Sequence, residues 1–261
     1  RRSALNYDLE PWAVDQQYKL IGAGYHNLVA LYLKIGDYAR AREALRFERR
    51  FKTNLYQSGH PEISKMLEAS GSLHLAMLEF DSARVDLKAY LADCLRRYGR
   101  SSYYTGSAHI RLAKLNLRTD SIDECLAHCD AAVEILTEIS GGEASPELTE
   151  SLLVRAKARA EAGLRGGALD DCDRAARLYS ASRGEVDFDK GKALAVRAEL
   201  LDHFGEVEAA LSAADSALHN YKARLDELRS GKGANVSEAM YLPGLHYLRC
   251  RLLLKGGDRE A

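Results

Sequence analysis

Ile35-Gly36-Asp37-Tyr38-Ala39-Arg40-Ala41-Arg42-Glu43-Ala44-Leu45 is the stretch on which the reading of the chain turns. A small or polar residue is followed two on by a bulky one and three further by a small one: Gly36, Tyr38 and Ala41, with Leu45 one helical turn later. The same grammar returns at Leu78-Glu79-Phe80 with Ala83 and Leu87, and at Asp120-Ser121-Ile122 with Cys125 and Cys129. Gly163-Leu164-Arg165 with Ala168 and Cys172, and Gly205-Glu206-Val207 with Ala210 and Ala214, continue it, and Gly257-Asp258 opens a sixth copy. The turn positions 36, 78, 120, 163, 205 and 257 are 42, 42, 43, 42 and 52 residues apart. A fixed period of this size is the signature of a repeat architecture. The longer last interval is assigned to Arg229-Ser230-Gly231-Lys232-Gly233-Ala234-Asn235, the most loop-like run in the chain.

Each period holds two helical stretches with apolar residues at three- and four-residue spacing. Tyr25, Leu28, Val29 and Tyr32 mark the first helix of the first copy, and Tyr38, Ala41 and Leu45 mark its second, which is expected to reach Tyr56. Small residues recur where two helices must approach closely. They are Gly71, Ala113, Ala156, Ala198 and Cys250 on first helices, and Ala41, Ala83, Cys125, Ala168 and Ala210 on second helices. The connectors are short: Ser58-Gly59-His60-Pro61-Glu62, Gly99-Arg100-Ser101-Ser102, and Gly141-Gly142 through Ser145-Pro146-Glu147. They read as a helix stop followed by a capped or proline start. One helix pair cannot bury its apolar stripe alone, whereas stacked pairs share a continuous core. The expectation is an all-α solenoid of antiparallel helix pairs. It forms a single domain over residues 1–261, with five full repeats and a truncated sixth. The ends at Arg1 and Ala261 read as those of a fragment of a longer protein.

Arg155-Ala156, Gly163 and Ala168-Leu169-Asp170-Asp171-Cys172-Asp173-Arg174-Ala175 together resemble a tetratricopeptide repeat. So do Tyr25-His26-Asn27-Leu28-Val29-Ala30-Leu31-Tyr32 and the Gly36 to Ala41 turn that follows. The usual repeat is about 34 residues long. The longer period here, with Gly59-His60-Pro61 between pairs, resembles the kinesin light chain subclass, which bacterial regulators with helical sensor domains share. HEAT and armadillo solenoids have a similar period, but they lack the glycine–x–aromatic–x–x–alanine grammar. The resemblance implies a right-handed superhelix whose first helices line a concave face. Arg155, Arg197 and Arg249 sit where many such repeats have leucine, and polar contacts between neighbouring repeats are expected from them.

Composition bounds the function. The chain has 261 residues, 37 basic and 38 acidic, and a net charge of −1. A general nucleic-acid binder needs a basic surplus, so none is expected. No stretch approaches the ~18 apolar residues of a membrane span. Five cysteines without framework spacing favour a reduced, cytoplasmic setting. Gly22-Ala23-Gly24 lies inside a helical pattern with no strand before it, so it is no dinucleotide fingerprint. Cys125, His128 and Cys129 share a helix, but Cys125 and Cys129 take the core positions of Ala41 and Leu45 and read as small apolar residues. Cys172 and Cys250 read the same way. His74, His109 and His246 read as packing histidines. No catalytic, metal or cofactor site is assigned, and the chain is read as a non-enzyme.

The expected function is a scaffold that binds a peptide or partner domain in the concave groove. Arg111, Lys114 and Arg118 share one helix face, at i, i+3 and i+7. With Asn27, Lys34, Lys65 and Lys157 they make the groove of the first four repeats basic, which suits an acidic peptide or a terminal carboxylate. Ile110 is placed in the same lining. Asn27 and Lys65 match two places of the carboxylate clamp of chaperone-tail binders; the rest is missing, and chaperone binding is not expected. The alternative is a sensor or regulatory module of a larger signalling enzyme or transcription regulator. The open end of the truncated repeat invites self-association.

Overall fold

The computed structural model describes residues 11–56, 60–183, 188–229 and 241–257. They form eleven α-helices, with no strand among the described residues: α1 Pro11–Lys34, α2 Tyr38–Leu55, α3 Pro61–Ala76, α4 Phe80–Tyr98, α5 Tyr103–Arg118, α6 Ile122–Ser140, α7 Pro146–Glu161, α8 Arg165–Arg183, α9 Phe188–His203, α10 Val207–Arg229 and α11 Tyr241–Gly257. They fall into two compact units, Arg1–Gly99 and Arg100–Ala261. The first unit holds the pairs α1/α2 and α3/α4. The second holds α5/α6, α7/α8, α9/α10 and the single helix α11. The all-α helical repeat expected from the period is what the chain forms. The loop assigned to residues 230–235, and the start of a second helix at Asp258, lie outside the described residues.

The connectors start helices by satisfying their free N–H groups. Ser102 accepts from the Thr105 amide, and Ser145 accepts from the Leu148 amide, each at 3.1 Å. Asp37 does the same for the Arg40 amide at 3.1 Å. Pro61 and Pro146 occupy first-turn positions, where a missing N–H costs nothing.

The five turns inside the pairs share one conformation. Gly36, Leu78, Asp120, Gly163 and Gly205 all have positive φ, between 57° and 79°. Each first helix closes in the same way, with the next amide reaching back five residues. Asp37 N–H donates to the Tyr32 carbonyl at 2.9 Å, and Glu79 to His74 at 2.8 Å. Ser121 donates to Asn116 at 2.9 Å, Leu164 to Arg159 at 2.7 Å and Glu206 to Leu201 at 2.9 Å. This is the Schellman closure, and it favours glycine at the left-handed position. Leu78 and Asp120 hold that position without being glycine, at a steric cost of roughly 1–2 kcal/mol each.

Small side chains join the two helices of each pair. Val29, Ala113, Ala156 and Ala198 lie seven residues before their turns, and Ala41, Cys125, Ala168 and Ala210 lie five after; all are fully buried. Gly71 takes the first-helix place in the second pair, and a Cβ there would come within 2.6 Å of Leu87. Neighbouring pairs join by packing a second helix on the first helix that follows: α2 on α3, α6 on α7, α8 on α9 and α10 on α11.

The arginines expected to make inter-repeat contacts do so at one repeated geometry. Arg155 lies 2.8 Å from Asp130 of α6, Arg197 3.0 Å from Asp173 of α8, and Arg249 2.5 Å from Asp215 of α10. Each arginine is eight residues before a turn, and each aspartate is ten after the preceding one. Arg155 also forks onto buried Asp171 of α8, with Nε–Oδ2 2.9 Å and Nη2–Oδ1 2.7 Å. Arg159 adds a further bond to Asp171 at 2.8 Å. In α3 the place of Arg155 is taken by Ser70, which donates to Asp86 of α4 at 2.5 Å.

Three expectations are corrected. Ile110 is 2% exposed, in the core rather than a groove lining, because it packs with Leu136 and Leu148. His246 is exposed, not packed. Cys250 is exposed because no described second helix covers that side of α11.

Two stability outcomes follow from this geometry. Leu78→Gly relieves left-handed strain at an exposed side chain, less the extra chain entropy of glycine, and should stabilise the fold by about 0.5–1 kcal/mol. Asp171→Ala removes the buried carboxylate that Arg155 and Arg159 share, leaves them only Asp130 and the Gly167 carbonyl, and should cost about 2 kcal/mol. Urea melts of both variants check these values, and an unchanged midpoint for Leu78→Gly would show that the turn is not strained.

Candidate functional site

The first helices of the second unit lie side by side, α5 against α7, α7 against α9 and α9 against α11. Their shared face carries a cavity of about 550 Å³. Leu153 and Val154 of α7, Ala195 and Val196 of α9, and Leu245 and Leu248 of α11 form its apolar lining. Tyr179 of α8 and Tyr221 of α10 close its depth and are 2% and 0% exposed. Gly191 lets α9 lie on the Tyr221 ring, since a Cβ there would sit 3.1 Å from it. Thr149 also lines the cavity. It is 2% exposed, and its hydroxyl has no hydrogen-bond partner among the described residues. A cavity of this size with an apolar floor and a few polar groups is the usual form of a ligand site.

The rim is charged with both signs. Lys114 of α5 pairs with Glu150 of α7. Lys157 of α7 lies 2.9 Å from Glu199 of α9, and Lys192 2.7 Å from Asp189 within α9. Beyond the rim, Arg251 and Lys255 of α11 hold Asp202 of α9 at 2.5 and 2.6 Å. Burial opposes ionisation of Asp202, but the Lys255 hydrogen bond and the Arg251 charge outweigh it and hold its carboxyl below the ordinary value. Lys114, Lys157, Glu199 and Arg251 all lie six residues before their turns, so one register position supplies a ladder of ion pairs across successive first helices.

The residues expected to make a basic groove are therefore distributed. Lys114 and Lys157 line the cavity, each matched by a carboxylate. Arg111 is half-buried and Arg118 exposed on α5, both outside the cavity lining. Asn27 and Lys34 are exposed on α1, and Lys65 is exposed on α3, 2.8 Å from Glu62. Glu147, Glu150, Asp189, Thr149 and both tyrosines were not among the groove residues expected from the sequence. Glu150 and Lys192 share a register thirteen before their turns, which is the signal that a full register table carries.

Other chemically suggestive clusters are structural. In the first unit, Lys52 is buried 2.7 Å from Glu48 and 2.9 Å from Glu62, and His26 lies 2.9 Å from Glu48. Burial opposes the charge on Glu62, but the bonds from Lys65 and Lys52 hold its pKa down at about 2. Lys52 is thus a core residue held by two carboxylates although α2 as a whole is rich in arginine. Cys125 and Cys129 are fully buried in the core, and the Cys125 hydrogen bond together with burial pushes the Cys129 thiol up. Burial raises Cys94 to about 11 and Cys172 to about 12. No group of three or more His, Cys, Asp or Glu among the described residues is placed to hold a metal ion. No helix among the described residues is long and apolar enough to cross a membrane.

Compared with solved structures, the chain has the TPR-like fold. BtubC (BKLC) from P. vanneervenii matches with a TM-score of 0.64 at 16% identity, over 87% of this chain and 86% of that one. TPR-like repeats of Podosopora anserina, described as a kinesin light chain, match with a TM-score of 0.62 at 13% identity, over 81% of this chain and 97% of that one. Their Q17M form gives 0.65 at 14% identity, over 78% and 96%. No family model matches the chain, and no curated protein matches it. The resemblance read from the repeat grammar is thus to the fold that these structures share.

His109 of α5 and His128 of α6 face each other, with Nδ1 atoms 2.9 Å apart. Burial, then the neighbouring His128 and Arg100 charges, push His109 down to about 4. The unfolded chain, with an ordinary pKa near 6.5, takes up the proton first. The neutral ring's stabilisation is therefore complete above about pH 6.5 and is lost as pH falls toward 4. The expected loss is roughly 2 kcal/mol after allowance for partial exposure. Denaturant melts between pH 7 and pH 4 should show this slope, and His109→Gln should flatten it; an equal slope in the variant would assign the loss elsewhere.

Proposed function

We propose that the chain is a binding scaffold whose second unit holds a peptide segment of a protein partner on its first-helix face. The observation that carries this reading is the cavity of about 550 Å³ walled by α7, α9 and α11, with α5 contributing Lys114. Its apolar floor suits one or two large side chains of the peptide, and Thr149 offers a buried hydroxyl to a polar group between them. The rim ion pairs lie on partly exposed side chains, so they open at small cost to admit a charged group of either sign. Lys114 and Lys157 are the positions where a carboxylate of the partner would displace Glu150 and Glu199. Arg111 and Arg118 of α5 complete the proposed basic contribution of this unit outside the cavity, while Asn27, Lys34 and Lys65 stay proposed partner contacts of the first unit by itself. Reversible pairing of this kind gives selectivity more than raw affinity, as surface charges at interfaces generally do.

The test is selection of a random peptide library on the chain, followed by titration of the enriched peptides. Peptides with an apolar anchor are expected, and Lys114→Glu with Lys157→Glu should weaken acidic-flanked ones at least tenfold while the melting curve barely moves. Enriched peptides whose affinity ignores both lysines and also ignores Val196→Arg would remove the groove from consideration.

A further inference from the structure

The lining of the cavity in the second unit holds three lysines and four carboxylates. Each lysine is matched. Lys114 pairs with Glu150, Lys157 lies 2.9 Å from Glu199, and Lys192 lies 2.7 Å from Asp189. The fourth carboxylate, half-buried Glu147 in the first turn of α7, has no hydrogen bond or ion pair among the described residues.

The repeat shows which cation is missing. Glu147 lies sixteen residues before its turn, as do Glu62 of α3 and Asp189 of α9. In both of those helices a lysine three residues on takes up the charge: Lys65 lies 2.8 Å from Glu62, and Lys192 2.7 Å from Asp189. In α7 the place of that lysine is held by Glu150. Residues three apart are neighbours on a helix face, so the two carboxylates repel. Lys114 of α5 reaches Glu150 and leaves Glu147 without a cation. A first-turn carboxylate favours its own helix N-terminus. Glu62 and Asp189 have that benefit and a lysine as well. Thr149 is a separate sign that the cavity takes a polar ligand. It is 2% exposed in the same lining, and its hydroxyl has no partner among the described residues. A buried hydroxyl left without a partner is costly, and a ligand that supplies one removes the cost.

Resting on the peptide-binding reading of this cavity, we propose that the bound segment carries a lysine or arginine that pairs with Glu147, beside the apolar side chain seated on the floor. The stem of either residue can lie along apolar lining while its charged end stays at the rim. Lys157, where an acid of the partner would bind, lies ten residues further along α7, about 15 Å at 1.5 Å per residue. An extended chain covers that distance in roughly four or five residues. The segment recognised is therefore bipolar: a basic residue, an apolar anchor and an acidic residue within about six positions. A segment acidic throughout would set a carboxylate against Glu147 and Glu150, and such a mismatch is what selects against it.

The probe is a phage-displayed library of random dodecapeptides, selected on the whole chain. Enriched sequences should place a lysine or arginine about four to six positions from an aspartate or glutamate, with an apolar residue between. One such peptide is then synthesised with blocked ends in two forms, one cationic and one with the basic residue replaced by a neutral isostere, citrulline for arginine or acetyl-lysine for lysine. Calorimetric titration should show the cationic form binding about fivefold more tightly, and Glu147→Gln should bring that ratio near one. A loss of helix stability alone would weaken both forms equally and leave the ratio as it was. Selection on Glu147→Lys should enrich an acidic residue at the basic position. Enriched peptides that lose affinity on Val196→Arg but carry no basic residue, or whose ratio survives Glu147→Gln, overturn this inference and leave the cavity as the binding site. Peptides indifferent to Val196→Arg, or no enrichment at all, overturn the cavity reading and this inference with it.

Discussion

Every pair in this chain depends on one close approach, between the residue seven before the turn and the residue five after it. Valine or alanine meets alanine or cysteine at full burial in four of the five pairs, and Gly71 takes the place in the other. Small side chains let the two backbones come near enough for the flanking larger residues to interlock. The left-handed closure of the turn aims the second helix at that contact. The two constraints are inseparable: a turn of another conformation would point Ala41 or Ala168 elsewhere, and a large residue at the contact would push the turn open. Leu78 and Asp120 show which one dominates, because the chain accepts backbone strain there rather than give up the pairing.

This coupling explains why so much of the fold was legible. The period, the turn positions, the small residues and the capped starts at Pro61, Ser102 and Pro146 are local signals, and each pair repeats them. Even the inter-repeat arginines were legible, since a charged residue at a core register must find a partner or be excluded. What could not be read was which partner. Arg155 reaches both Asp130 of the preceding pair and Asp171 of its own, a choice set by where helices cross rather than by spacing along one helix. His246 and Cys250 were misjudged for a related reason: a core register buries a side chain only when both neighbouring helices are there to cover it.

The ladder is confined to α7, α9 and α11. In the second unit, Arg155, Arg197 and Arg249 set the register between pairs with ion pairs that an apolar contact cannot mimic. The same place holds Leu28 in α1, Ser70 in α3 and Leu112 in α5. A repeat whose neighbours are specified by charge resists slipping by one helical turn, because a slip strands a partly buried arginine. A repeat with leucine there, as at Leu28 and Leu112, has no such charge to strand. Buried charge in this chain thus acts on the choice of neighbour more than on total stability.

The candidate site was legible in outline only, and the reason is electrostatic. A list of lysines and arginines along first helices counts cations, whereas a ligand meets potentials. Lys114 and Lys157 lie in the cavity lining, but Glu150 and Glu199 stand beside them on the next helix, so the rim is closer to neutral than the cation count implies. Partly exposed pairs of this type contribute about 1 kcal/mol or less. A ligand carboxylate arriving at Lys157 exchanges with Glu199 for nearly the same energy, and a ligand ammonium can exchange with the lysine instead. Charge on such a rim discriminates by what it repels when mismatched, not by what it attracts. The gain in free energy must then come from the floor, where Leu153, Val196 and Leu248 exclude water at about 25 cal/mol per Å² of apolar surface covered. The buried Thr149 hydroxyl, desolvated already, rewards a ligand that brings it a partner and penalises none that leaves it as it is.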